Sequence, residues 1–391
     1  MAAMYDAIVV GAGINGSSTA HYLQKNGYRT LLLEQFPLPH TRGSSHGQSR
    51  IIRKAYLQEI FANMMREAYP MWEQLERDSG THLYTKRKLL VMCDKQNSYT
   101  DRVKETLSTC NMAYEDVSNE RLINEFNIKL TAGSKAILDP AGGILQADKA
   151  LSTFQDQFVK NGGTLIDEAQ VFSIIPGQTN QLKTSKGTFQ GRNVVLCLGP
   201  WAKSYFQQLG IEFPLKVMRI TVGYYKQKPV VGGQKPVDAP LKLYSKGNDE
   251  FYGLPEKEYP GLVKFCLHKG PEVQPDHRDQ VNSDWTLEKC KRVIEESFPG
   301  LEPEPSIVET CLYTMTPDEL FVLDRHPKYR NIILAAGFSG HGFKLAPVTG
   351  KILGEMAMNK APSYDLNHFR LDRFTRRSLL VREIWLPSMM L

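Results

Sequence analysis

The chain has 391 residues, of which 41% are hydrophobic and 23% charged, a composition typical of a soluble globular enzyme with two or three domains. The net charge is only +6, and the basic residues are not clustered, which argues against a nucleic-acid partner. No apolar run approaches the roughly 18 residues of a membrane span, and the six cysteines, which have no metal-ligand spacing, predict a reducing compartment and no metal site.

The first 35 residues have the pattern of one compact unit. Residues 7–10 (AIVV) are an apolar run suited to a buried parallel strand, and the glycine-rich segment 11–16 (GAGING) follows directly. Residues 17–26 predict a helix, and residues 30–33 (TLLL) a second strand that ends at Glu34. The order strand, glycine turn, helix and strand within about 30 residues is that of a Rossmann-like unit, so the N-terminus is interpreted as a strand and not as a signal peptide.

The glycine turn and Glu34 fit a dinucleotide. Gly11 permits the tight turn, Gly13 lets a pyrophosphate approach the backbone, and Gly16 allows the helix to pack closely on the strand. A carboxylate at Glu34 accepts hydrogen bonds from an adenosine ribose and repels a 2′-phosphate, which disfavours NADP. The motif alone leaves FAD and NAD open.

The rest of the chain alternates between segments with a strand–glycine turn–helix pattern and segments with the pattern of an antiparallel sheet. Residues 36–54 predict a long functional loop, and the middle of the chain has short alternating runs typical of an antiparallel sheet. A second strand and glycine turn near the C-terminus could direct another helix end to the same cofactor, or could be a plain connection. The predicted elements are helices 57–80, 146–160 and 345–358, strands 89–92, 193–198 and 331–336, the turns 139–143 and 337–342, and the sheet region 215–317.

Three long motifs identify a family. The segments HTRGSSHGQSRIIRKAY (40–56), CLYTMTPDELFVLDRHP (311–327) and AAGFSGHGFK (335–344) resemble the monomeric sarcosine oxidase family of flavoproteins, and within it the animal members that act on sarcosine and L-pipecolate. The resemblance covers about residues 5 to 373. It implies a mixed α/β fold with a Rossmann-like FAD-binding domain of discontinuous segments (1–85, 140–215 and 318–391) and a substrate domain with an antiparallel sheet (86–139 and 216–317).

The resemblance also implies how the cofactor is held. In the family a cysteine of a C-x-Y-T motif forms a thioether to the flavin, and Cys311 occupies that position here, which predicts one covalent FAD per chain. A single cysteine on a strand is otherwise more often a small buried hydrophobic residue. Gly340 and Gly342 belong to the second glycine turn, where they are expected to bind the same cofactor.

Further residues match the family's substrate and oxygen sites. Arg53 and Lys344 match a carboxylate clamp, and His46 and Arg50 match residues beside the flavin, with Arg50 and Arg53 on one face if residues 50–54 are helical. Lys264 matches the lysine that activates O₂, and strand alternation places His268 and Cys266 on its face. Tyr252 and Tyr313 match tyrosines of the substrate pocket. We also expect the Lys264 ammonium to lower the pKa of the Cys266 thiol and expose it to oxidation, although an inert buried filler is the commoner role.

The predicted function is FAD-dependent oxidation of secondary amino acids such as sarcosine, L-pipecolate or L-proline, with O₂ reduced to H₂O₂. A related flavin oxidase for another amine, a dehydrogenase that uses an electron carrier, and a catalytically silent flavin-binding module are the alternatives. The expected partners are a small amino acid and O₂, with no nucleic acid and no membrane, and the protein is possibly a monomer. The resemblance favours the peroxisome, although Met389-Met390-Leu391 is not a standard peroxisomal signal, and the cytoplasm is the other expectation.

Overall fold

The computed structural model describes residues 4–229 and 240–374. Within these ranges the helices are α1 Ile14–Lys25, α2 Glu59–Ser79, α3 Tyr99–Thr109, α4 Asn119–Phe126, α5 Ala147–Lys160, α6 Ala202–Gln208, α7 Asp284–Ser297 and α8 Gly342–Ala357. The strands are β1 Met4–Val10, β2 Thr30–Leu33, β3 Ser49–Ile52, β4 Tyr84–Lys86, β5 Leu89–Cys93, β6 Glu115–Asp116, β7 Lys135–Asp139, β8 Gly143–Gln146, β9 Thr164–Ile166, β10 Val171–Ile175, β11 Asn180–Thr184, β12 Gly187–Leu196, β13 Lys216–Gln227, β14 Leu241–Lys246, β15 Asp249–Leu254, β16 Leu262–Leu267, β17 Leu301–Met315, β18 Val322–Arg325 and β19 Ile332–Ala336.

The first large sheet is the dinucleotide-binding type. Its order is β10-β11-β12-β1-β2-β9, with β19 beside β12 and β18 beside β19. The central pairs β12–β1, β1–β2, β2–β9 and β12–β19 are parallel, whereas β10, β11 and β18 pair antiparallel. Apolar residues of β1 are buried on both faces, and α1 packs against α8 and α5 on one of them. Burial on both faces explains why these strands are continuous apolar runs.

The second large sheet has the order β17-β13-β16-β15-β14-β5-β7-β6. Its pairs are antiparallel except for β14 and β5, which are parallel. Helix α7 packs on β16 and β17, and α3 packs on β5 and β7. A small third sheet has the order β3-β8-β4. Its strand β3 contributes residues to the site described below.

The mixed α/β fold is confirmed, with both parallel and antiparallel sheets as expected. Helix α2 ends at Ser79, and Gly80 follows it with a φ of 70°, the left-handed conformation that glycine favours at the end of a helix. The end of the helix predicted over residues 57–80 is therefore correct within one residue. The domain boundaries 1–85, 140–215 and 318–391 against 86–139 and 216–317 stay a prediction.

The segment 36–54 differs from the prediction. Instead of being a loop throughout, it ends in β3, which pairs antiparallel with β8 so that Ile51 lies opposite Ile144. The helical conformation considered for residues 50–54 is therefore wrong. The apolar pair Ile51 and Ile52 is buried, and pairing with β8 satisfies backbone groups that a helix of this length would leave open. Helix α8 begins at Gly342, three residues before the predicted start.

Candidate active site

One continuous cavity of about 480 Å³ runs from the first glycine turn to the second large sheet. Its walls come from β1, β3, β16, β17, the loop before β3 and the start of α8. Every predicted site residue except Gly16 lines it, namely Gly11, Gly13, Glu34, His46, Arg50, Arg53, Tyr252, Lys264, His268, Cys311, Tyr313, Gly340, Gly342 and Lys344. Residues more than 300 positions apart in the chain therefore meet in one site.

The first glycine turn is closed by backbone contacts that leave no room for side chains. A Cβ on Gly11 would lie 2.3 Å from the carbonyl oxygen of Cys197, and a Cβ on Gly16 would lie 1.8 Å from the carbonyl oxygen of Gly11. A Cβ on Gly13 would lie 3.1 Å from Ser45 Oγ. Gly16 is thus a packing residue between the turn and α1, whereas Gly11 and Gly13 face the cavity.

Glu34 and the start of α1 form the polar end of the cavity. Glu34 is 6% exposed, and its Oε2 accepts a hydrogen bond of 2.8 Å from the Ala12 N–H. Its Oε1 accepts from the Gln35 and Phe36 N–H groups at 2.8 and 3.2 Å. The Asn15 Oδ1 is buried and has no hydrogen-bond partner among the described residues, and the first turn of α1 has no acidic residue. A helix start with an unpartnered buried oxygen, glycine clearance and a fixed carboxylate fits the ribose and pyrophosphate of FAD.

The start of α8 supplies a second helix end at the cavity. A Cβ on Gly340, whose φ is +78°, would lie 2.5 Å from His268 Cε1 and 3.0 Å from Tyr313 Cε2, so this position must be glycine for both rings to pack there. A Cβ on Gly342 would lie 2.7 Å from Phe338 Cβ. His341 lines the cavity, and its buried Nδ1 has no partner among the described residues. The prediction of a second helix end at this site agrees with the geometry.

His46 and Arg50 shape the loop that crosses the cavity. The His46 ring lies with Nδ1 2.9 Å from the Gly43 carbonyl oxygen and Nε2 2.9 Å from that of Thr310. Burial lowers the pKa of His46 despite these two carbonyls, and the Arg50 charge lowers it further. The Arg50 Nη2 donates to the carbonyls of His46 and Ser44 at 2.5 and 3.0 Å. The loop is thereby tied to itself and to β17.

Arg53 and Lys344 are two buried cations that lie beside the same aromatic ring, that of Tyr56. Each is 7% exposed. The Arg53 guanidinium lies 4.3 Å and the Lys344 Nζ 5.8 Å from the centre of the Tyr56 ring, so one aromatic ring lies beside both cations. No described carboxylate pairs with either cation within 4.0 Å. Burial first, and then the charges of Arg53 and Arg50, hold the pKa of Lys344 well below its ordinary value. The Arg53 guanidinium donates to the Ala55 carbonyl oxygen, but neither cation has a described carboxylate partner, so the pair suits a ligand carboxylate.

Lys264 and His268 come from β16 and the residue after it, as the alternation predicted. The Lys264 Nζ lies 2.7 Å from Glu258 Oε1 and 3.2 Å from Ser49 Oγ. Burial lowers the pKa of His268 to about 4, helped by the charges of Lys344 and Arg53, so its ring is neutral at physiological pH. The third residue of the alternation, Cys266, is fully buried and packs with Val222 and Tyr224 instead of lining the cavity.

The two tyrosines lie side by side near His268. The Tyr313 hydroxyl is 3.5 Å from that of Tyr252, and the His268 ring centre is 4.9 Å from that of Tyr313 and 6.3 Å from that of Tyr252. Burial raises the pKa of both tyrosines, so both keep their protons. They form an uncharged part of the cavity wall.

Cys311 lines the cavity from β17 and is half-buried. Burial raises the pKa of its thiol, while the charges of Arg50, Lys264 and Arg278 act in the opposite direction. Sequence reasoning missed Arg278, which is 4% exposed and donates to the carbonyl oxygens of Arg42 at 2.8 Å and Thr310 at 3.1 Å. It joins the loop before β3 to the strand that bears Cys311. An isolated arginine in a polar segment gave no signal for this.

The described residues contain no group of three or more His, Cys, Asp or Glu side chains that could hold a metal ion. Over the same ranges, no helix is both long and apolar enough to cross a membrane.

Comparison with known proteins agrees with this geometry. The chain is 45% identical to the peroxisomal sarcosine oxidase of Mus musculus over 379 residues, which is 96% of this chain and 97% of that protein. It is 30% identical to the monomeric sarcosine oxidase of Bacillus sp. (strain NS-129) over 380 residues, 95% of this chain and 98% of that protein. Among solved structures, the L-proline dehydrogenase of P. horikoshii has a TM-score of 0.81 at 19% identity and covers 96% of this chain and 99% of its own.

The model of the family described as FAD dependent oxidoreductase matches residues 6–356. Together with the two relatives of 30% identity or more over nearly the whole chain, this match shows that the protein belongs to the FAD-dependent oxidoreductases, in the branch of the sarcosine oxidases.

Proposed function

We propose that this protein is an FAD-dependent oxidase of small secondary amino acids such as sarcosine, L-pipecolate and L-proline. The observation that carries the proposal is the cavity that joins the dinucleotide end at Glu34 to the buried cations Arg53 and Lys344, which have no carboxylate partner among the described residues. FAD, when bound, would accept two electrons and one proton from the carbon beside the substrate nitrogen, the nitrogen would release the second proton, and the two electrons would pass to O₂, which takes up two protons. The overall reaction converts amine and O₂ to imine and H₂O₂, and an acyclic imine then reacts with water.

The protein's part in substrate binding is to fix the carboxylate and leave the amine free. Arg53 and Lys344 bind the carboxylate, the arginine through its planar fork and the lysine as a point charge. The neutral wall of Tyr252 and Tyr313 faces the apolar part of the substrate. His268 is a hydrogen-bonding group and not a cation at neutral pH, because burial lowers its pKa to about 4. The amine must be in its neutral form for its lone pair to assist the loss of the electrons.

Lys264 is assigned to the reduction of O₂. The first electron that reaches O₂ creates a negative charge, and a fixed ammonium beside it lowers the barrier. Lys264 lines the cavity and is held by the Glu258 carboxylate and the Ser49 hydroxyl, so its Nζ does not need to reorient during the reaction. This assignment favours an oxidase over a dehydrogenase that uses another electron acceptor.

We assign Cys311 as the residue that links covalently to FAD, with one FAD per chain. Its thiol lies in the cavity wall, and the charges of Arg50, Lys264 and Arg278 oppose the burial that raises its pKa. Thiolate is the nucleophilic form of cysteine. The remaining five cysteines are all buried, whereas Cys311 is only half-buried.

Three further proposals concern the compartment, the oligomeric state and the domain boundaries. We place the protein in the peroxisome, after the animal relatives of that name, although the C-terminal Met389-Met390-Leu391 lies outside the described residues. We propose a monomer, after the bacterial enzymes named monomeric. The division into an FAD-binding and a substrate domain at the boundaries given above is likewise our proposal.

A substrate panel with a spectroscopic readout tests the function. The purified protein is mixed anaerobically with sarcosine, L-pipecolate or L-proline, and the flavin absorbance is recorded before and after O₂ is admitted, with H₂O₂ measured at the end. We expect bleaching by at least one amino acid and recovery of colour with one H₂O₂ per turnover. Bleaching without recovery in O₂ would indicate a dehydrogenase, and no bleaching with any of them would contradict the proposal.

A further inference from the structure

Glu258 and Lys264 form the most deeply buried ion pair among the described residues. Their side chains are 2% and 7% exposed, and Oε1 lies 2.7 Å from Nζ. Glu258 belongs to the connection between β15 and β16, six positions before its partner. The Ser49 hydroxyl on β3 donates to the same Glu258 oxygen and lies 3.2 Å from the Lys264 Nζ. Three segments of the chain are thus joined at one ammonium.

Glu258 does not itself line the cavity, whereas Lys264 and Ser49 do. The carboxylate therefore lies behind the ammonium, on the side away from the reacting molecules. Burying a carboxylate costs free energy that its partner only partly offsets, so such a pair is weak evidence for a role in stability alone. Its position directly behind a residue assigned to O₂ points to a role in the reaction.

The Lys264 ammonium also has tyrosine and cysteine neighbours, and a second carboxylate, that of Glu309, lies beyond Tyr224. Tyr224 on β13 lies under the ammonium, with its ring centre 5.4 Å from Nζ, and donates to Glu309 on β17 at 2.9 Å. Burial raises the pKa of Tyr224, the pKa of Cys266 to about 12, and the pKa of Cys311. Glu258 differs from Tyr224 and the two cysteines in that it is ionised.

Burial alone would raise the pKa of Glu258, but the Lys264 charge and the hydrogen bonds from Lys264 and Ser49 outweigh it and the pKa lies below the ordinary value. Glu258 is therefore ionised, and it is the anion in direct contact with Lys264.

We propose that Glu258 is the positioning residue of the oxygen site: it fixes the Lys264 ammonium at the cavity wall and keeps it protonated while O₂ takes up two electrons and two protons to give H₂O₂. This inference rests on the proposed function. Without the carboxylate, a desolvated ammonium next to the cations of the cavity loses its proton at lower pH, and the positive charge that assists O₂ disappears with it.

The test is the pH dependence of flavin reoxidation in Glu258→Gln. Glutamine keeps the shape and a hydrogen-bond acceptor but removes the charge. The flavin is reduced with dithionite and mixed with O₂ in a stopped-flow instrument between about pH 6 and pH 9, so no amino-acid substrate is needed. Buried lysines without a carboxylate partner titrate several units below the ordinary value of about 10.4, so we expect E258Q to reoxidise about tenfold more slowly at pH 9 than at pH 6. The wild type is expected to change by less than about twofold.

Three controls separate charge from fold. Glu256→Gln removes an exposed carboxylate of the same connection, one that accepts a hydrogen bond from Gln227, and is expected to match the wild type. The double variant Lys264→Met/Glu258→Gln is expected to be slow at every pH, with no further effect of the second change. Glu258→Asp keeps the charge, and its profile is expected to stay as flat as that of the wild type.

Several results would overturn the inference. They are a flat profile for E258Q, a pH dependence that persists in the double variant, or a wild-type rate that already falls steeply below pH 9. A steep fall in the wild-type or Glu258→Asp profile overturns the inference by itself, even if E258Q cannot be purified with flavin. Failure of the proposed function has a different signature: wild-type flavin that sarcosine, L-pipecolate and L-proline do not reduce, or that O₂ does not reoxidise at any pH.

Discussion

Replacing Lys344 by methionine should remove the binding of carboxylates without harming the fold. Methionine matches the unbranched shape of lysine, and the Trp72 Nε1 donates to the Lys344 backbone carbonyl at 2.9 Å, a contact that the change preserves. Truncating one partner of a desolvated charge pair costs about 2–5 kcal/mol. Because Arg53 remains as a second cation, we expect the lower part of this range, about 2–3 kcal/mol, which weakens binding about 30- to 150-fold.

The assay is a titration of the flavin spectrum with acetate and propionate, which have the carboxylate of the substrate but no amine to oxidise. Lys351→Met is the matched control, because Lys351 lies on the same helix but pairs with Glu67 away from the cavity. Dissociation constants of K344M within about threefold of the wild-type values would refute the carboxylate clamp. An equal loss of carboxylate affinity in the Lys351 variant would refute it too. Thermal unfolding of K344M is expected at the wild-type temperature or above, since the change removes a buried charge that has no described carboxylate partner.

The pH dependence gives a second, independent readout of Lys344. Burial and the charges of Arg53 and Arg50 hold the pKa of the free Lys344 well below its ordinary value. A bound carboxylate adds the opposite charge, favours the ammonium and so raises that pKa. Carboxylate binding should then be strongest at low pH, weaken as pH rises through the lowered pKa, and take up protons in that range. Calorimetry in two buffers of different ionisation enthalpy measures this uptake, which should be absent in K344M.

Other residues give sharper or simpler tests. Acid-precipitated wild-type protein should stay yellow and Cys311→Ser should release its flavin, whereas flavin in the wild-type supernatant would rule out a covalent link. Lys264→Met should slow reoxidation by O₂ far more than reduction by substrate, and equal slowing of both half-reactions would make Lys264 a substrate ligand instead. The reductive half-reaction should accelerate with pH along one basic ionisation, that of the substrate amine, and show none from His268, whose pKa burial lowers to about 4; a flat profile from neutral to alkaline pH would contradict this.

The sequence was most informative where one local rule dominates. The strand 30–33 has the predicted bounds, and α5 and β19 begin within one residue of their predicted starts, because apolar runs and glycine stops mark them directly. Residues 84–139 were less informative, although the strand predicted at 89–92 is present as β5. Helices α3 and α4 lie there, and α3 packs against β5 and β7 of the second sheet. The strand β3 was missed because its pairing with β8, about 95 residues later, cannot be read from residues 49–52 alone.

The candidate site was predicted from long motifs, from the glycine turn with Glu34, and from single residues that match the family, whereas residues that support these from behind were missed. Arg53, Lys264 and Lys344 come from distant segments and still line one cavity, as the resemblance implied. Arg278 and Glu258 act through other residues, one by tying a loop to β17 and one by pairing with Lys264. A residue with such a supporting role leaves no pattern in a single sequence, because its partner is near in space and its neighbours in the chain are ordinary.

Cys266 illustrates how a correct placement can lead to wrong chemistry. Alternation puts it on the face of Lys264, and the ammonium does act to lower the pKa of the thiol. Burial acts in the other direction and is the larger effect, so the pKa is raised to about 12 and the thiol stays protonated. The expectation of an oxidisable thiolate is therefore wrong, and the inert buried filler is the better description. A cation favours a thiolate only where water or hydrogen bonds also compensate the charge, and the Lys264 charge is already paired with Glu258.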